Sequence, residues 1–245
     1  MTLPLTMLDS YTCEDSAVTR DRLNVLKIPY QSRTKENDES VIALLGKYNQ
    51  GESRTPTLIF GADEIVLTEP TVEQLEQALI KAGYTIESPR FKHFDTPSVL
   101  PNMSKLPVVR PAGGGLRRAK QSILFFAHAA ACRVCQGYAR QIAQQRAKLA
   151  EMGVRLQIVL RTDVDGAKEW AREFAPEIET MVDVEGNLKR ETADCFPDTW
   201  DIRLGGVWLF VVDQDEEIRA GVYASDAGGL VAPGEIVKFF AEPSV

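Results

Sequence analysis

One stretch, residues 121–152, constrains the fold of this 245-residue chain more than any other. Residues 123–127 form a continuous apolar run, which suits a central strand covered on both faces. The segment 136–152 carries apolar residues at helical spacing. Two cysteines, Cys132 and Cys135, lie where the strand gives way to the helix. The stretch therefore predicts a buried strand, a short turn and a helix that begins at a cysteine pair.

The position of Cys132 just before the helix favours its thiolate. Unpaired backbone N–H groups and the positive end of the helix dipole stabilise an anion there. Arg133 adds a neighbouring positive charge. Cys135 falls on the same helical face, which brings the two Cα atoms within the roughly 4.4 to 6.8 Å that a disulfide requires. The pair is predicted to form and open a disulfide, as is typical of a CxxC motif between a strand and a helix.

Two further residues are auxiliary candidates. His128 lies four residues before Cys132 and could accept a proton from a thiol or stabilise the thiolate. It could equally be a histidine that is simply hydrogen-bonded at the end of a strand. Cys195 lies in a predicted loop, where it could resolve or relay a disulfide or be an incidental thiol.

Three interpretations of the cysteine pair remain open from the residues alone: redox exchange, half of a metal site, and a structural disulfide or inert thiols. Structural zinc requires four ligands. The sequence has no second CxxC motif and only two histidines, His93 and His128. We therefore predict redox exchange, with no metal and no cofactor.

Composition restricts the compartment and the partners. The net charge of −7 argues against nucleic acid or an anionic membrane as the main partner. The N-terminal residues lack the pattern of a signal peptide, and no apolar run is long enough to span a bilayer. Four cysteines in a chain of this length do not form a disulfide scaffold, so a reducing compartment is expected. These features predict a cytoplasmic protein.

The hydrophobic pattern predicts an α/β chain with two domains. Residues 1–84 follow the order β-α-β-α-β-β-α, residues 85–95 have no apolar period and are predicted to be a linker, and residues 96–245 form the second domain. Cys13 opens the first predicted helix, so the strand–cysteine–helix layout occurs twice. Pro56 precedes the third strand and is a candidate for a cis peptide bond.

The first domain resembles a glutaredoxin over its whole length. The resemblance rests on Cys13, on residues 28–30 (Ile-Pro-Tyr), on Thr55 and Pro56, and on a final helix after Pro70. In that family the positions matching Cys13, Thr55 and Pro56 form the thiol site and its peptide-like binding edge, which implies that Thr55 and Pro56 dock the substrate.

The first domain departs from the glutaredoxin pattern in two places. Ser16 replaces the second cysteine of a dithiol site, and the Gly-Gly pair expected after the third strand is absent from residues 60–64. The first change implies a monothiol arrangement, and the second removes part of the usual glutathione-binding surface.

The second domain resembles the peroxiredoxin and thioredoxin-like branch, the alkyl hydroperoxide reductase and thiol-specific antioxidant type. The matching features are the strand leading into the CxxC motif, residues 182–186, and residues 210–213 before a predicted hairpin. Together the two resemblances imply thioredoxin-like domains in tandem, each with a central mixed sheet flanked by helices.

Three departures from this branch affect the expected chemistry. A peroxiredoxin has a threonine or serine where this chain has Ala129, and an arginine near the position of Val207. Both family residues donate hydrogen bonds to the peroxide. Thioredoxins place a cis-proline before the corresponding strand, whereas residues 204–206 here are Leu-Gly-Gly.

The sequence thus predicts a thiol–disulfide oxidoreductase in which Cys132 attacks a disulfide and Cys135 resolves the intermediate. Protein or small-molecule disulfides are the expected substrates, glutathione or a thioredoxin-type reductant is the candidate electron donor, and Cys13 could pass electrons from the first domain. One alternative is a thiol peroxidase with Cys135 or Cys195 as the resolving thiol. The other is a non-catalytic binding or scaffold protein.

Overall fold

The computed structural model describes residues 2–100, 103, 106–109, 119–194 and 206–241, apart from the side chains of residues 95–98, 193 and 194. The chain divides into two compact units, Met1–Ser88 and Pro89–Val245. Each unit contains a sheet flanked by helices, so the predicted α/β class is confirmed. Within the described residues, no helix combines the length and apolar character that a bilayer span requires.

The first unit is built on a four-stranded sheet in the order β2-β1-β3-β4. Strand β1 pairs in parallel with β2 and antiparallel with β3, and β3 pairs antiparallel with β4. The element order is the predicted one. The elements are β1 (Leu5–Asp9), α1 (Glu14–Val25), β2 (Gln31–Thr34), α2 (Ser40–Tyr48), β3 (Thr57–Phe60), β4 (Ile65–Thr68) and α3 (Val72–Lys81).

The alternation of side chains along β1 divides the core of the first unit between the two faces of the sheet. Met7 joins one buried cluster with Leu23 and Leu79. Leu8, the next residue, joins a second cluster with Leu45. Successive residues of β1 therefore anchor helices on opposite faces of the sheet.

The second unit is built on a seven-stranded sheet in the order β5-β11-β10-β7-β8-β9-β6. Strands β7, β8 and β9 are parallel, and the remaining pairings are antiparallel. Its strands are β5 (Lys92–Val99), β6 (Val108–Val109), β7 (Gln121–Phe126), β8 (Val154–Leu160), β9 (Glu179–Val182), β10 (Val207–Asp213) and β11 (Glu217–Ala224). Its helices are α4 (Arg133–Ala143), α5 (Arg146–Glu151), α6 (Val164–Phe174), α7 (Asn187–Asp194) and α8 (Pro233–Ala241), with a short 3-10 helix at Ala227–Gly229.

Strand β7 lies in the middle of this sheet and is covered on both faces, as its apolar run predicts. Phe125 packs on one side against Tyr138 of α4, with ring centroids 5.2 Å apart. Phe126 packs on the other side against Trp208 of β10, at 5.3 Å. All four rings are buried. The strand therefore fixes the start of the turn that follows it.

Two predicted boundaries in this unit are corrected. The single helix expected over 136–152 is two helices, because the N–H of Gln145 bonds to the carbonyl of Ile142, three residues back, and this tighter turn ends α4. The linker was predicted to extend over residues 85–95, but its last four residues belong to β5, which begins at Lys92. Strand β5 pairs with β11 at the edge of the sheet, and an edge strand does not need the apolar period that the prediction looked for.

Candidate functional site

The cysteine pair lies where the central strand β7 meets α4. Cys132 is the N-cap residue of that helix, in an extended backbone conformation, and its sulfur accepts a hydrogen bond from the N–H of Cys135 at 3.3 Å. The prediction that Cys132 lies just outside the first helical turn is therefore confirmed. An N-cap sulfur meets backbone donors that have no partner within the helix.

The two sulfurs differ in their exposure. Cys132 is half-buried, whereas Cys135 is fully buried at 0% exposure. Cys135 lies on the inner face of α4 with Tyr138 and Ile142, so helical spacing directs it into the core. Both are free thiols. The sulfur of Cys132 can therefore contact another molecule, whereas the sulfur of Cys135 is shielded from solvent.

The surroundings push the two pKa values in opposite directions. A hydrogen bond from the Cys135 thiol lowers the pKa of Cys132, and the N–H groups of Cys135 and Val134 lower it further, against the opposing effect of burial. The same thiol–sulfur hydrogen bond raises the pKa of Cys135 well above its ordinary value, and burial adds to the rise. Cys132 is thus the sulfur that ionises first. Arg133 was expected to contribute to this effect, but the leading contribution comes from Cys135.

The turn before Cys132 is held by side chains from two helices. The carbonyl of Ala130 accepts a hydrogen bond from Nε2 of Gln136 at 2.7 Å and another from Nε1 of Trp170 at 3.1 Å. Gln136 belongs to α4 and Trp170 to α6. The backbone that presents Cys132 is therefore anchored at a position where the turn has no regular secondary structure.

His128 and Asp226 lie beside Cys132. The ring of His128 is exposed, and its backbone N–H donates to the sulfur of Cys135 at 3.4 Å. Potential ligand atoms of His128, Cys132 and Asp226 all lie within 4.8 Å of one another. The Asp226 carboxylate raises the pKa of Cys132 and so opposes the hydrogen bonds described above. Asp226 was not predicted from the sequence, because nothing near it in the chain marks a site.

Lys189 of α7 is a second residue that the sequence analysis missed. Its side chain is buried, Nζ donates to the carbonyl of Gly206, and the charge lies 5.1 Å from the centre of the Trp208 ring. Burial lowers the pKa of Lys189 to about 8, although the nearby cysteines act in the opposite direction. The lysine therefore brings a cation into the electrostatic field of the cysteine pair.

In the first unit, the structure brings together the three residues that the sequence singles out there. Cys13 is the N-cap of α1, and its sulfur accepts from the N–H of Ser16 at 3.4 Å. The Cys13 thiol donates to the carbonyl of Thr55 at 3.1 Å. The Thr55–Pro56 peptide bond is cis, as predicted. Cys13 is half-buried and Thr55 is buried, and their roles in binding and catalysis remain predictions.

The other candidate residues lie elsewhere. Arg133 is exposed at the first position of α4. His93 lies in β5, where its ring stacks on Phe239 with centroids 5.3 Å apart. Cys195 lies outside the residues that the structure describes.

Comparisons with known proteins give structural likeness only. No protein-family model and no curated protein sequence matches the chain. Enterococcus faecalis AhpC is 21% identical over 50% of this chain and 73% of its own, with a TM-score of 0.41. Peroxiredoxin 5 from Alvinella pompejana is 15% identical over 60% of this chain and 98% of its own, with a TM-score of 0.44. A secreted Mycobacterium tuberculosis disulfide oxidoreductase homologous to E. coli DsbE is 15% identical over 50% of this chain and 81% of its own, with a TM-score of 0.36.

Proposed function

We propose that this chain is a thiol–disulfide oxidoreductase whose reactive dithiol is Cys132 with Cys135. The observation that carries the proposal is the asymmetry of the pair. The half-buried sulfur has the lowered pKa, and the buried sulfur three residues later has the raised pKa. An attacking thiol must be ionised and reachable, whereas a resolving thiol has only to reach its neighbour.

The reaction follows from these positions. The Cys132 thiolate attacks one sulfur of a substrate disulfide, the substrate S–S bond breaks, and the leaving thiolate takes up a proton from solvent. Cys135 then loses its proton and attacks the Cys132 sulfur of the mixed disulfide, which releases the second substrate thiol. The substrate gains two electrons, and the protein is left with a Cys132–Cys135 disulfide.

His128 is our candidate for the group that assists proton movement. Its ring is exposed beside Cys132, so it can exchange protons with water, and an imidazole can both accept and donate a proton. Arg133 is exposed one position further on, where it could attract anionic groups of a substrate. We propose supporting roles for both residues.

The first unit supplies a second thiol site in this proposal. Cys13 lies at a helix N-terminus against Thr55 and the cis peptide bond of Pro56, which is the arrangement that its resemblance to a glutaredoxin implies. We propose a glutaredoxin-like monothiol site that exchanges with glutathione or with a thioredoxin-type reductant. Such a site could return electrons to the Cys132–Cys135 disulfide.

Peroxide reduction fits the Cys132 site less well. The side chains of Ala129 and Val207 carry no hydrogen-bond donor, and these are the positions where the peroxiredoxin resemblance calls for one. A peroxide would have to be polarised by backbone N–H groups instead. The protein or small-molecule disulfide therefore remains the proposed substrate class.

Exchange kinetics with a small chromogenic disulfide test the proposal. In a Cys13→Ser/Cys195→Ser background, we expect Cys132→Ser to lose the reaction down to the buffer background. We expect Cys135→Ser to react once and then remain as a mixed disulfide that mass spectrometry detects at position 132. Cys13→Ser is the matched control and should keep the first exchange step.

Two outcomes would overturn the proposal. One is an exchange rate for Cys132→Ser equal to that of the wild type. The other is oxidation of Cys132 by hydrogen peroxide at a rate far above that of a free thiol, with slow exchange, which would instead indicate a peroxidase.

A further inference from the structure

Side chains of three residue types that can bind metals lie close together at the N-terminus of α4. His128 follows β7, Cys132 caps α4, and Asp226 follows β11 immediately before the 3-10 helix Ala227–Gly229. Their potential ligand atoms, one nitrogen, one sulfur and one oxygen, lie within 4.8 Å of one another. We refer to His128, Cys132 and Asp226 as the ligand triad.

The chemistry of the ligand triad selects one class of cation. Imidazole, thiolate and carboxylate are the three ligand types that Zn²⁺ takes in proteins, at about 2.0 to 2.3 Å from the metal. A thiolate and a carboxylate together carry two negative charges, which balance a divalent cation. Calcium and magnesium ions prefer oxygen ligands and bind weakly to a thiolate sulfur.

The geometry allows the three ligands to close around one ion. Tetrahedral bonds of that length place ligand atoms about 3 to 4 Å apart, so separations up to 4.8 Å need only a small approach. His128 is exposed and Asp226 is partly exposed, so both side chains can turn without disturbing the core. A site with three protein ligands leaves its fourth position to water, and the exposure of His128 provides access for that water.

We infer that the reduced protein binds a thiophilic divalent cation of the zinc class at the ligand triad, and that the bound ion masks Cys132. Binding forms a metal–sulfur bond and releases the thiol proton to solvent, with no change of oxidation state. While the ion is bound, the sulfur lone pair is committed to the metal and cannot attack a disulfide. The binding itself is independent of the proposed function, whereas the regulatory consequence rests on it.

The main competing arrangement is chelation by the two cysteines alone. Cys135 is fully buried and its thiol bonds to Cys132, so a metal held by both sulfurs would have to enter the core beneath the helix. The ligand triad instead consists of the exposed His128 and the partly exposed Cys132 and Asp226. The two arrangements predict different sensitive residues, which makes them separable.

Cobalt absorption and zinc calorimetry on the reduced full-length chain provide the test. A Cys13→Ser/Cys195→Ser background removes the two thiols outside the Cys132–Cys135 pair. We expect Co²⁺ to give sulfur-to-metal charge-transfer and tetrahedral d–d absorption that Zn²⁺ abolishes, with one ion per chain. Loss of a direct ligand in Asp226→Asn or His128→Ala should weaken Zn²⁺ binding by at least about tenfold, since even outer-shell changes have effects of that size.

The controls make the assignment specific. Cys132→Ser should remove the charge-transfer band, and Asp215→Asn, a change at an exposed carboxylate in the β10–β11 turn, should bind like the background protein. Near-ultraviolet circular dichroism checks that each variant is folded. The inference is overturned if the reduced background protein gives no cobalt band, or if Asp226→Asn and His128→Ala bind normally while Cys135→Ser does not.

Alkylation separates this inference from the proposed function. Saturating Zn²⁺ should slow the reaction of Cys132 with iodoacetamide, and a chelator should restore it. Unchanged alkylation with bound metal would refute the masking. An intact metal site in a protein that does not exchange disulfides when metal-free would refute the proposed function and leave the site standing.

Discussion

Hydrogen bonds of two kinds reach the sulfur of Cys132, the first from the backbone N–H groups of Cys135 and Val134 and the second from the Cys135 thiol. The second is the leading cause of the lowered pKa, so the thiol proposed to resolve the disulfide also activates the thiol proposed to attack. A lower pKa leaves more thiolate at a given pH, and only the thiolate reacts. Chemical reactivity at position 132 therefore depends on the side chain at position 135.

Alkylation of Cys132 as a function of pH tests this dependence. The rate should rise with pH through a midpoint below that of an ordinary cysteine, which is about 8.5. Cys135→Ala removes the donor, so the midpoint should move up and the rate near neutrality should fall. Cys135→Ser keeps a hydroxyl donor and should lie between the two. Equal midpoints for all three proteins would contradict the argument.

The buried Lys189 should make stability depend on pH in the alkaline range. Its pKa is lowered by burial from 10.5 to about 8 in the folded chain. Below pH 8 both states bind the proton, and the folded state bears the full cost of a buried charge. Between about 8 and 10.5 only the unfolded chain stays protonated, so the free energy of unfolding rises with pH.

Denaturant unfolding of the wild type and of Lys189→Met measures this effect. One pKa unit corresponds to about 1.4 kcal/mol, so the wild type should gain up to about 3 kcal/mol relative to the variant across that range. Lys168→Met, at an exposed lysine, is the control and should follow the wild type. A constant difference between wild type and Lys189→Met would show that the folded lysine has an ordinary pKa.

At the scale of elements, a buried ion pair joins two helices of the first unit. Arg22 of α1 is fully buried, and its Nε donates to Glu76 of α3 at 2.9 Å. Removing one partner of a buried pair leaves the other charge uncompensated, which destabilises a protein by about 3 to 5 kcal/mol. Glu76→Gln should therefore lower the free energy of unfolding of this unit by that amount.

Chemical denaturation with a matched control checks this prediction. Asp38→Asn neutralises the partner of Arg33 in an ion pair whose side chains are 32% and 38% exposed, and it should change stability little. If the two variants unfolded at the same denaturant concentration, the Arg22–Glu76 pair would not stabilise the contact between α1 and α3.

The elements that sequence predicts best are those with strong local signals. The apolar run of β7 and the N-cap position of Cys132 each depend on neighbours within a few residues. The edge strand β5 has no such signal, because its partner β11 lies more than a hundred residues later. Its pairing is set by the sheet, not by its own pattern.

The residues of the candidate site also differ in whether a local sequence signal predicts them. Cys132, Cys135 and His128 lie within eight residues of one another, and spacing alone brings them together. Asp226 and Lys189 reach the pair only because β11 and α7 fold back toward α4. A single aspartate or lysine in a charged chain gives no local sign of such a position. The position of the cysteine pair could therefore be predicted from the sequence, whereas the charges that affect its pKa values could not.

At the scale of the whole molecule, each unit has its own sheet and its own buried clusters. Met7, Leu23 and Phe60 belong to a cluster of the first unit, and Phe126 and Phe210 belong to a cluster of the second. Among the residues that the structure describes, each of these clusters lies within one unit. Cooperative unfolding follows shared buried surface, so each unit should lose its structure as a separate cooperative step.

Hydrogen exchange with peptide-level mass spectrometry tests this independence. Glu76→Gln should accelerate exchange in peptides before residue 88 and leave later peptides unchanged. Phe210→Ala removes a fully buried ring and should cost about 3 to 5 kcal/mol, with faster exchange confined to peptides after residue 89. If either substitution accelerated exchange equally in both regions, the chain would unfold as one cooperative body.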